Sequence, residues 1–89
     1  MPKIEVRIPT ALRTWTGGKD QVVVQAATVR AAIETFHPHL VRSVIDERGA
    51  LRPYVNLFLN SENVRDLAGL DSRIAEGDVL HIIPAIAGG

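Results

Sequence analysis

The chain opens on strict alternation: Ile4, Val6 and Ile8 fall on one face, and Lys3, Glu5 and Arg7 on the other. Successive side chains of an extended chain point to opposite sides, so this period predicts a half-buried strand over residues 3–8, stopped by Pro9. The stretch from Thr10 to Gly18 carries turn residues and a Gly17-Gly18 pair, and predicts a hairpin loop. Its lone Trp15 is expected to pack against the sheet, and Arg13 beside it is a weaker candidate for partner contact. Val22, Val23 and Val24 then predict a second strand.

The period changes after Thr28, a good N-cap residue. Val29, Ala32, Ile33 and Phe36 recur at helical spacing, and Arg30 and Glu34 are placed to form an i,i+4 pair on the outer side. The helix is expected to stop near His37, because Pro38 disfavours helical geometry in the residue before it. Leu40, Val41, Val44 and Ile45 can add a further short turn before a loop from Asp46 to Pro53. Alternation returns with Val55, Leu57 and Leu59 inward and Tyr54, Asn56, Phe58 and Asn60 outward, a third strand ending in the Asn60–Asn63 turn. A polar connection with turn signals at Gly69 and Gly77-Asp78 leads to an apolar strand over 79–83 and a tail over 84–89. This order predicts an α+β fold, a β-grasp with one main helix across a mixed four- to five-stranded sheet, as a single domain over 1–89 with the tail exposed.

Composition narrows the function. Ten basic and ten acidic side chains cancel, which leaves no electrostatic footprint for nucleic acid or an anionic membrane and points to proteins or small molecules as partners. Cysteine is absent, so there is neither a disulfide framework nor a thiolate to carry sulfur or acyl groups. No apolar run approaches the ~20 residues of a membrane span, and the start lacks the apolar stretch of a signal peptide; a cytoplasmic location is the expectation.

The end of the chain offers the chemistry that the side chains lack. Gly88 and Gly89 follow closely on the last apolar strand, which would project them from the sheet with the carboxylate outermost. Glycine has no Cβ to meet the walls of a narrow channel, so Ile86, Ala87 and Gly88 are expected to thread into partner active sites and deliver Gly89. A carboxylate is a poor electrophile and needs activation, most simply as an acyl-adenylate made from ATP by a partner enzyme. Attack by sulfur then gives a C-terminal thiocarboxylate at Gly89, an ionised sulfur nucleophile at neutral pH. An idle, disordered end is the plain alternative.

The closing residues Glu76-Gly77-Asp78-Val79, Leu80-His81-Ile82-Ile83 and Pro84-Ala85-Ile86-Ala87-Gly88-Gly89 resemble the ThiS/MoaD family of ubiquitin-like sulfur carriers, and the likeness covers essentially the whole chain. Ile8–Arg13 with Thr16-Gly17-Gly18, and Arg52–Asn60, look like the branch of that family serving cysteine biosynthesis. The resemblance implies an E1-like adenylyltransferase/sulfurtransferase that loads Gly89, a pyridoxal-phosphate cysteine synthase that accepts the sulfur, and a metalloprotease that releases cysteine. The carrier itself would be a protein co-substrate, not an enzyme, with no cofactor of its own. Molybdopterin, thiamin or a specialised metabolite are alternative destinations. A ubiquitin-like protein modifier and a plain interaction module are alternative roles; the apolar Pro84-Ala85-Ile86-Ala87 lead, lacking arginine, disfavours the modifier.

Alternation also places Phe58, His81 and Ile83 outward beside the tail, a candidate docking face that ordinary scattered surface apolars would equally produce. His37, His39 and His81 have no accompanying carboxylate cluster, so no metal is expected. Neither a nucleophile–base pair nor a phosphate-binding loop is present, and no catalytic residue is assigned.

Overall fold

A computed structural model, describing residues 1–84, gathers the alternating segments into one five-stranded sheet. β1 (Lys3–Arg7) and β2 (Gln21–Gln25) form the antiparallel hairpin, with Glu5 opposite Val23. β3 (Val55–Leu59), the two-residue β4 (Glu62–Asn63) and β5 (Val79–Pro84) complete the order β2-β1-β5-β3-β4. β5 is inserted between β1, to which it runs parallel, and β3, to which it runs antiparallel. A parallel pair needs a long crossover, and everything between β1 and β5 supplies it.

The predicted inward sets are the core. Ile4, Val6, Ile8, Val55, Leu57, Leu59, Leu80 and Ile82 are all buried, against Val29, Ala32 and Ile33 of one helix and Leu40 and Val44 of another. With a mixed sheet covered by helices, the architecture is the ubiquitin-like β-grasp.

Several local expectations change. Thr10–Thr16 is not an open loop but a 3-10 helix, closed by Gly17 at φ 65°. Trp15 on it does not pack against the sheet, whose inner face is filled by aliphatic side chains. It stacks instead on His37 and His39, with ring centroids 4.8 and 4.5 Å away. These imidazoles lie at the start of the second α-helix, which the 3-10 segment contacts.

The helical region divides in two. α1 (Val29–Glu34) is capped by Thr28, whose hydroxyl accepts from the Ala31 N–H at 3.2 Å. It ends before the expected stop at His37, and the Thr35 hydroxyl donates back to the Ala32 carbonyl. Pro38 then opens α2 (Pro38–Val44) at its first turn, where its fixed φ fits and its missing N–H costs nothing, and His37 Nδ1 caps it by accepting from the His39 N–H. The single main helix is thus two, and the short turn anticipated after Pro38 is as long as the first. The Arg30–Glu34 pair does not form: Arg30 Nη1 donates to the Gly49 carbonyl at 2.6 Å and its Nε lies 3.7 Å from Asp71. Residues brought close by the loops offered a carbonyl and a carboxylate together, which an exposed helix pair, worth a few tenths of a kcal/mol, does not match.

The following loop closes on Asp46, whose carboxylate accepts from the N–H groups of Arg48 and Ala50. The Ala50 N–H foremost holds that carboxyl below its usual range. Among the described residues no helix is long and apolar enough to cross a membrane.

Candidate functional site

The tail residues Ile86, Ala87, Gly88 and Gly89, expected to carry the chemistry, lie outside the described residues. The structure describes their root, and the root is closely specified. β5 leaves a turn built by Glu76-Gly77-Asp78. The Glu76 carboxylate accepts from the Lys3 N–H at 2.8 Å, and the Gly77 N–H donates to the Lys3 carbonyl at 3.0 Å. Gly77 sits at φ 86°, a conformation that side chains with a Cβ rarely adopt. Asp78 accepts from the Ala75 N–H and the Asn60 amide, while Asn60, itself left-handed at φ 57°, accepts from the Val79 N–H. The Glu5 N–H then takes the Asp78 carbonyl, starting the parallel ladder. A motif that sequence presents as a closing signature is thus a brace that fixes where β5 begins and how its end is aimed.

At the other end of β5, Pro84 pairs with Val55 and is the last described residue. It borders an apolar cavity of about 230 Å³, whose walls also include Leu12, Ser43, Tyr54 and Ile82. The Ser43 hydroxyl is engaged, donating to the His39 carbonyl at 2.8 Å. Sequence reading missed this cavity, because four separate segments meet to make it and none carries a local signal.

The proposed docking residues are brought together. Phe58 and His81 are direct cross-strand neighbours on the outer face of the sheet, and Ile83 follows two residues along β5, opposite Asn56. Phe58 and His81 are half-buried, and Ile83 is 46% exposed. Arg7 continues their row across β1 and is ion-paired with Glu5, giving the apolar strip a charged border. His37 and His39, by contrast, are far along the chain from His81 and are taken up by the Trp15 stack. Among the described residues no group of three or more potential ligands could hold a metal ion.

Known proteins match this arrangement over nearly its whole length. The ThiS family model matches residues 6–89. The sulfur carrier protein CysO of Mycobacterium tuberculosis is 40% identical over 93 aligned positions, covering 97% of this chain and 98% of CysO. Its crystal structure superposes with a TM-score of 0.86 at 35% identity, over 93% of this chain and 99% of that one. CysO of Amycolatopsis orientalis, solved in a BexX/CysO complex, gives a TM-score of 0.81 at 38% identity, covering 97% and 99% of the two chains. Small archaeal modifier protein 1 of Haloferax volcanii reaches 0.79 at 27% identity, covering 97% and 100%. The family model spans the chain from β1 to its last residue, and by it the chain belongs to the ThiS family.

Proposed function

We propose that the chain is a sulfur carrier that acts as a protein co-substrate of partner enzymes, with Gly89 as the loaded residue. The observation that carries this is the near full-length likeness to CysO, a sulfur carrier protein, in a chain whose terminal glycines follow a rigidly aimed strand. An E1-like enzyme transfers AMP from ATP to the Gly89 carboxylate with release of pyrophosphate; sulfide then displaces AMP and leaves a thiocarboxylate. The thiocarboxylate sulfur attacks the electrophile held by an accepting synthase. Cysteine biosynthesis, through a pyridoxal-phosphate synthase and a metalloprotease that frees the product, is the destination the CysO likeness favours. The cysteine-free sequence fits this division of labour, since no side-chain thiol competes with the tail for the sulfur it carries.

The test is intact mass after incubation with an E1-like enzyme, ATP and sulfide. Exchange of oxygen for sulfur adds about 16 Da, localised to the C-terminal peptide, because an activated carboxyl takes up the nucleophile offered. No increase with a competent cognate enzyme overturns the reading.

The likeness to an archaeal modifier protein supports a second reading, attachment to lysine by the same activation. Isopeptide conjugates of higher mass in the native host would favour it.

Partner docking falls to Phe58, His81 and Ile83. Phe58→Asp is expected to weaken binding to the activating enzyme by about tenfold or more, as truncation of an aromatic anchor does. Calorimetric titration beside a circular dichroism spectrum unchanged from the parent checks it.

A further inference from the structure

The outer edge of β2 is an unprotected strand, and its sequence reads the same in both directions: Gln21-Val22-Val23-Val24-Gln25. The ladder fixes which of its main-chain groups are free. The Ile8 N–H donates to the Asp20 carbonyl and the Ala26 N–H to the Pro2 carbonyl, so in this register Asp20, Val22, Val24 and Ala26 turn their main-chain groups toward β1. Gln21, Val23 and Gln25 therefore point theirs away from the sheet, and among the described residues no strand lies on that side.

Natural edges are usually blunted by a charge, a proline or a bulge. None of these interrupts Gln21–Gln25, three of whose five residues are valine, a strong strand former.

We propose that this edge pairs with the same edge of a second copy of the chain, antiparallel about a twofold axis at Val23. The free groups suit that pairing, and centring it on Val23 is the register that engages all three of Gln21, Val23 and Gln25 within the two strands. Centred on Val23, the two strands match Val23 with Val23, Gln21 with Gln25 and Gln25 with Gln21, each a pair that exchanges both main-chain hydrogen bonds. Side chains agree as well. Val22 meets Val24 of the second copy on the inner face, where both are half-buried, and Val23, 63% exposed in one chain, is partly covered by its counterpart. Charge does not oppose the contact: Lys19 and Asp20 fall opposite Ala27 and Ala26 of the second copy, so no like charges meet. The self-complementary surface is what a closed twofold dimer requires. Phe58, His81 and Ile83 lie two strands or more away, so the dimer leaves the candidate docking face open and carries two copies of it.

A five-residue edge buries less than the ~1,600 Å² of a standard interface, so the dimer is a weak one, with a dissociation constant on the order of 1 mM. Sedimentation of the full chain from about 20 μM to about 4 mM, a range spanning that constant, should show the average mass climbing from the 9.7 kDa monomer toward twice that value. Val23→Lys places two ammonium groups at the axis and should hold the chain at monomer mass throughout; the exposure of Val23 lets the variant fold, which its amide spectrum verifies. At high concentration the amides of Gln21, Val23 and Gln25 should gain protection from exchange, while those of Val22 and Val24 are protected at every concentration. A monomer at all concentrations overturns the proposal. So does a Val23→Lys chain that dimerises like the parent, or protection of Gln21, Val23 and Gln25 that is already complete in the dilute chain.

Discussion

Removing Gly88 and Gly89, or replacing Gly89 by valine, is expected to abolish the mass increase on loading while leaving the melting curve unchanged. The two halves of this result have separate causes. Among the described residues the buried core runs as far as Ile82, with Pro84 pairing at the rim, and that core sets the melting curve. The chemistry depends on placing one carboxylate oxygen in line with a phosphorus and then offering its carbon to a sulfur nucleophile. A β-branched side chain beside that carbon displaces it, and misplacement by about 1 Å costs on the order of 10²-fold in rate. A time course of intact mass, read beside thermal unfolding by circular dichroism, measures both. Full loading of the shortened chain would remove Gly89 from the mechanism, and unimpaired cellular function without the glycines would favour an interaction module.

Leu80→Ala should have the opposite profile: a large loss of stability with the tail left intact. Leu80 is fully buried near the start of β5, opposite Val6 on β1 and Leu59 on β3. Truncating a leucine in such a site removes its transfer free energy and leaves a cavity that the surrounding strands fill only in part, a cost of 2–5 kcal/mol, roughly. Against a total of about 5–15 kcal/mol for a small domain, that is a substantial fraction, and a urea midpoint about 2 M lower is the expected reading. A shift of only a few tenths of a molar would mean that β5 is not the keystone of the core.

Much of this was legible in the chain because period survives any context. Ile4-Val6-Ile8 and Val55-Leu57-Leu59 each have one face to bury, and slipping either strand by one residue would turn it to water. Thr28 announced its helix for a similar reason, since the cap is a contact made within four residues. What escaped were features made by distant segments. Trp15 had no local reason to choose His37 and His39, and Arg30 left Glu34 for Gly49 and Asp71 only because the fold delivered them. β4 is two residues long, too short for alternation to register. For the candidate site, the outward placement of Phe58, His81 and Ile83 was readable from parity along β3 and β5. The brace around Asp78 was visible as a motif, but its role was not, since Asn60 and Lys3 reach it from other strands.

The position of β5 has a mechanical side. Its end continues into the tail, and it is hydrogen-bonded along both flanks, parallel to β1 and antiparallel to β3. A pull along the strand from that end loads the bonds of both ladders together, in shear, where an edge strand would peel away one bond at a time. On the proposed function, a partner that draws on the chain's end would work against paired strands on both sides of β5, and not against an edge that could unravel bond by bond.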